Sequence, residues 1–100
     1  MRKVIISKKA SNRLENLFEY LEFEWSLKVK KDFISKLDKS LKQIQQYPDG
    51  CPETTFVKGL HVFVITKQTS LFYRFDSKTI TVVTIFDTRQ NTNKLKKEVK

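Results

Sequence analysis

The stretch Lys67-Gln68-Thr69-Ser70-Leu71-Phe72-Tyr73-Arg74-Phe75-Asp76-Ser77-Lys78-Thr79-Ile80-Thr81-Val82-Val83-Thr84-Ile85-Phe86 decides the fold. Ser70 to Phe75 and Thr79 to Phe86 are dominated by β-branched and aromatic residues, which suit a pleated, half-buried surface. Only Asp76-Ser77-Lys78 separates them, so the two runs must return on each other as an antiparallel hairpin. In the second run Ile80, Val82, Thr84 and Phe86 alternate with Thr79, Thr81, Val83 and Ile85, which predicts a central strand with one apolar face. In the first, Leu71, Tyr73 and Phe75 alternate with Ser70, Phe72 and Arg74. Arg74 belongs on the uncovered face, because a guanidinium under a packed layer would need a buried partner.

Upstream, Val57 to Thr66 reads as a third strand, joined to the hairpin through Lys67-Gln68-Thr69. Before it, Tyr47-Pro48-Asp49-Gly50 must end a helix, with proline and glycine placed to stop it. That helix follows Ser26 and carries Phe33, Ile34, Leu37, Leu41 and Ile44 on one face. A helix before it places Leu14, Leu17, Phe18, Leu21 and Trp25 at steps of three and four, with Glu15, Glu19 and Glu22 opposite. Ser11 is its expected N-cap. Lys3 to Ser7, with the run Val4-Ile5-Ile6, is a short strand. The predicted architecture is α+β, in the order β-α-α-β-β-β: an antiparallel four-stranded sheet with a helical hairpin on one face and the other face open for binding. Residues 91–100 form a short basic tail.

The 100 residues suffice for one domain with a single core. With 39% hydrophobic and 12% aromatic residues, the chain is too rich to be a disordered basic tail. Cys51 is the only cysteine, which excludes an intramolecular disulfide, a cysteine zinc site and an iron–sulfur cluster, and fits a reducing compartment. The N-terminus has a basic flank but lacks the apolar run of a signal peptide or membrane span, so the expected location is cytoplasmic. The formal net charge is +9, a surplus that favours polyanionic or acidic partners. It is unevenly spread: residues 10–25 set Arg13 against four glutamates, whereas residues 26–46 set six lysines against Asp32 and Asp38.

Chemistry has few residues to draw on. His61 is the single histidine, and it sits in a strand beside Phe63 and Ile65. Asp49, Glu53, Asp76 and Asp87 show no ligand spacing, so neither metal nor cofactor is expected. With Gly50 and Gly59 the only glycines, there is no phosphate-cradling loop. What remains is a set of cations around the meander: Lys58, His61, Arg74 and Arg89. On an open sheet face such groups can hold a scissile phosphate, stabilise its developing charge and, in a desolvated cleft, exchange a proton.

The element order, the hairpin ending in Tyr47-Pro48, the segment Lys67 to Phe75 and the segment Ile80 to Asn91 together resemble the RelE/ParE toxin superfamily of bacterial type II toxin–antitoxin modules. The most specific feature is Tyr73-Arg74 in one strand followed by Arg89 just after the next. The resemblance implies a cognate antitoxin protein as partner and one of two activities. RelE-like members are ribosome-dependent endoribonucleases that cut messenger RNA without a metal; ParE-like members inhibit DNA gyrase and are not enzymes. The expected activity is the first, translation inhibition by messenger RNA cleavage, with Arg74 and Arg89 on the scissile phosphate and Lys58 or His61 assisting proton transfer; gyrase inhibition is the alternative. The chain departs from the ribonuclease pattern: no tyrosine or histidine follows Phe86, and Asp87 stands where many members present a cation. A non-toxic module that binds only antitoxin or nucleic acid is the third alternative.

Overall fold

The computed structural model describes residues 2–89. Its elements are β1 (Lys3–Ile6), α1 (Lys8–Glu24), α2 (Leu27–Gln46), a one-turn 3-10 helix (Pro48–Gly50), β2 (His61–Val64), β3 (Thr69–Phe75) and β4 (Thr79–Asp87). The element order is the predicted one, and the basic tail lies outside the described residues.

Ser7 caps α1: its Oγ accepts from the Ala10 N–H at 3.0 Å and donates to the Val83 carbonyl at 2.8 Å. The helix thus begins one turn before the expected cap at Ser11, because the chain leaves β1 directly into it. Ala10, Leu14, Leu17 and Leu21 form its buried face. Ser26 ends the apolar series because it caps α2, accepting from the Val29 N–H at 3.1 Å. From α2, Phe33, Leu37 and Ile44 turn inward, and Phe33 meets Phe18 edge-on at 6.2 Å. Trp25 and Ile34 lie outside this seam and are exposed. Lys30 reaches back to Glu22 at 2.9 Å, one ion pair between the basic and acidic helices.

The strand order is β1-β4-β3-β2. β2–β3 and β3–β4 are antiparallel, as hairpins require, but β1 pairs parallel to β4, so the sheet is mixed rather than wholly antiparallel. The intervening helical hairpin explains the difference: it returns the chain to the same end of the sheet.

A bulge corrects the alternation expected for β4. Tyr73 faces Val82 and Phe72 faces Thr84, leaving Val83 without a partner. Beyond it the inward set changes parity, so Ile80, Val82 and Ile85 join the main core with Leu71 and Tyr73. Phe86 turns to the other face, into a second cluster with Leu60 and Phe72. That face is therefore not left open. Residues 57–60, expected to open the strand Val57 to Thr66, instead fold back across it together with residues 54–56: Thr54 Oγ1 closes a turn on Val57, and Gly59 adopts φ +80°, a left-handed conformation that glycine alone adopts without cost. This turn confines β2 to four residues.

Candidate functional site

The four cations singled out from the sequence do not converge on one point. Arg74 and Lys58 share the outer face. Arg74 pairs across the ladder with Thr81, and its Nη1 donates to the Lys58 carbonyl at 3.1 Å. Gly59 lies directly under that guanidinium, where a Cβ would come within 3.2 Å of Nη1. The Gly59 N–H donates to Glu53 Oε2 at 3.1 Å. One terminal nitrogen of Arg74 is thus committed to holding the covering loop, while the residue as a whole stays exposed. The Lys58 side chain is exposed beside it.

His61 faces the other way. It stands opposite Tyr73 in the β2–β3 ladder, stacks on its ring at 5.5 Å between centroids and approaches Phe75 at 5.1 Å. Its Nδ1 lies 2.7 Å from the Cys51 carbonyl oxygen, which fixes Nδ1–H as the donor of a neutral or charged ring. Tyr73 is fully buried and donates its hydroxyl to the Pro48 carbonyl at 2.6 Å. Burial, reinforced by Cys51 and Asp49 nearby, holds that phenol well above its ordinary pKa. This aromatic stack ties β2 and β3 to the end of α2.

Arg89 lies at the far end of the ladder, on the helix side. Thr69 pairs with Asp87 there, five residues from Arg74 along β3, or about 17 Å at the rise of a strand. The Arg89 guanidinium grips the Asp87 carboxylate with two parallel bonds, Nε–Oδ1 at 2.8 Å and Nη2–Oδ2 at 2.6 Å. The Arg89 N–H adds a third at 2.9 Å, and Thr69 Oγ1 donates to Oδ2 at 2.5 Å. Burial alone would push the Asp87 carboxyl up, but the bonds from Arg89 and Thr69 outweigh it and hold the pKa below the ordinary carboxylate value. The same bonds raise Arg89. The other side of the guanidinium covers the Trp25 ring at 5.5 Å. Arg89 also lines a cavity of about 240 Å³ together with Leu21, Val29, Phe33, Asp32 and Lys36.

Sequence reasoning weighed Asp87 only as a metal ligand and as a departure from the ribonuclease pattern, and it passed over Thr69. The spacing Asp87-x-Arg89 at a strand end was the available signal: two residues apart across a turn, opposite charges can close on each other. Among the described residues no group of three or more His, Cys, Asp or Glu side chains could hold a metal ion. Likewise none of the described helices is long and apolar enough to cross a membrane.

Two solved structures share this architecture. The chromosomal ParDE toxin–antitoxin system from P. aeruginosa superposes with a TM-score of 0.74 at 17% identity, covering 87% of this chain and 96% of that one. The YoeB dimer from Staphylococcus aureus gives 0.60 at 15% identity, with 85% and 94% covered. No curated protein sequence matches. The family model for the ParE toxin of the type II toxin–antitoxin system parDE matches residues 4–92, which take in both helices and all of the sheet but Lys3. The chain belongs to the ParE toxin family.

Proposed function

We propose that this toxin arrests growth by binding DNA gyrase in the cytoplasm, without cutting RNA, and that a cognate antitoxin neutralises it. The observation that carries this reading is the dispersal of Arg74, Lys58, His61 and Arg89 over two faces and both ends of the sheet. Metal-free cleavage of a phosphodiester needs a base, an acid and an anion-stabilising group around one phosphate, each within about 3 Å of the atom it serves. Here His61 is stacked behind the sheet and Arg89 is spent on Asp87, which leaves Arg74 and Lys58 as the outer-face pair. A binding toxin needs no such convergence. Family membership supports the same choice, since the matching model is that of the ParE rather than the ribonuclease branch.

Purified protein added to a gyrase supercoiling reaction is expected to inhibit it, while messenger RNA on translating ribosomes stays intact. Supercoiling unaffected at micromolar toxin, with message cut in an Arg74-dependent way, would reverse the assignment to translation inhibition by messenger RNA cleavage. Co-expression of the cognate antitoxin is expected to restore growth.

A further inference from the structure

The exposed side of α2 and the near end of the sheet form one continuous polar surface. Lys28, Lys31, Ser35, Lys39, Lys42 and Gln46 recur at steps of three and four and are all exposed, so they make a single ridge. From Lys28 to Gln46 it extends about 27 Å at the rise of an α-helix. Gln46 is also part of a cavity of about 630 Å³ that it lines with Arg2, Gln45, Ser77 and Lys78. The ridge therefore runs directly into a pocket whose side chains are two cations, two amides and a hydroxyl.

Arg2 is pre-organised there. Its Nε donates to the Asp76 carbonyl at 2.6 Å, its guanidinium lies over the Phe75 ring at 5.6 Å, and its own carbonyl accepts from Gln45 Nε2 at 2.9 Å. With Nε occupied, the terminal nitrogens are the ones left to meet a ligand, in the fork geometry that suits a phosphate. Two of the acidic groups nearby are already engaged. Asp76 Oδ1 accepts from the N–H groups of Lys78 and Thr79 and from Thr79 Oγ1, and Asp38 pairs at 3.1 Å with the ridge's own Lys42, an exposed contact that a phosphate can replace. Asp32, exposed four residues after Lys28, flanks the ridge as a single opposing charge.

We infer that this surface is a duplex-DNA backbone site: one phosphate seats between Arg2 and Lys78, and the neighbouring backbone follows the lysines of α2. A duplex rather than a single strand fits the chemistry, because the ridge residues themselves offer only charge, an amide and a hydroxyl, and the exposed aromatics Trp25 and Tyr47 stand beyond its two ends rather than along it, where unpaired bases would stack. The surface is separate from Arg74, Lys58, His61 and Arg89 and requires neither gyrase nor a cleavage activity.

The test is fluorescence anisotropy of the full chain with a labelled DNA duplex across a salt series. Arg2→Gln/Lys78→Gln and Lys39→Gln/Lys42→Gln are each expected to weaken binding about tenfold or more at low salt. Each pair should also lower the slope of log affinity against log salt by about 2, one contact per lost cation. Lys8→Gln/Lys67→Gln removes the same charge away from the ridge and should leave the slope unchanged. Equal losses in all three pairs would reduce the effect to bulk charge and overturn the site. So would tighter binding of single-stranded RNA than of duplex, or no binding by the wild-type chain. Thermal melts confirm folding, and the Lys39/Lys42 pair, remote from the Asp76 turn, keeps the result readable if the Arg2 variant loosens it. A null result here leaves gyrase inhibition standing, and a null supercoiling result leaves this site standing.

Discussion

The Asp87 side chain has 0% exposure and accepts from both Arg89 and Thr69, so its charge is an asset only while those donors stay in place. Its carboxyl pKa is depressed on folding. The stability linked to it is therefore fully present above the ordinary carboxylate value near 4 and is lost as pH falls through the lower folded value. Asp87→Asn is expected to destabilise the protein at neutral pH by about 3 kcal/mol, because it leaves a largely buried guanidinium with no counter-charge. It should also flatten the acid limb of the stability curve. Thermal midpoints measured from pH 7 down to about pH 3 check both; a variant that loses stability with acid as steeply as wild type would remove Asp87 as the group responsible. The sequence offered Arg89 as a phosphate ligand because it stands just past the last strand among the meander's cations and fits the pattern of the family it resembles. Only the folded turn shows that its nearest acid is two residues away and facing it.

Hydrophobic spacing made both helices legible, and the three-residue connections made both hairpins legible, since these are local consequences of period and chain length. The β4 bulge was not read. Polar and apolar residues alternate from Thr79 to Val82, and the phase slips where Val82 and Val83 stand side by side, a local signal that the alternating face sets obscured; what holds the extra residue lies across the chain, where Ser7 donates to the Val83 carbonyl. A specific outcome follows for this strand. Removing one residue from a central strand normally turns every later side chain to the wrong face. Deleting Val83 should instead rejoin Val82 to Thr84 and keep Ile80, Val82 and Ile85 facing the helices, so the deletant is expected to fold with a loss of about 1–2 kcal/mol. Deleting Thr81 should abolish cooperative unfolding. Calorimetry of the pair distinguishes them, and equal damage from both would mean that Val83 is not the inserted position.

At the scale of the molecule, two apolar clusters share one sheet. The larger lies between sheet and helices, and the smaller, built on Leu60, Phe72 and Phe86, holds down the fold-back of residues 54–60. Because that covering segment is short and turns at Gly59 within it, its opening should be separable from global unfolding. Leu60→Ala is expected to cost about 2–3 kcal/mol and to strip amide protection from residues 54–60 while the α1 amides keep theirs. Leu21→Ala should lower protection throughout. Hydrogen exchange followed by residue decides this, and parallel loss in both variants would make the two clusters one cooperative unit. The sequence suggested a bare outer face because Val57 to Thr66 reads as a continuous strand; the turn at Thr54 and the left-handed Gly59 redirect it.

The mixed sheet also has a bearing on how the protein is made. β4 lies between β1 and β3, joining residues 3–6 to residues 79–82. A nascent chain that has not yet released β4 holds its first strand with nothing to pair against and its two helices without the surface that buries them. A product cut short before Thr79 therefore cannot assemble, and a cell translating this message meets the folded toxin only after residues 79–87 have left the ribosome.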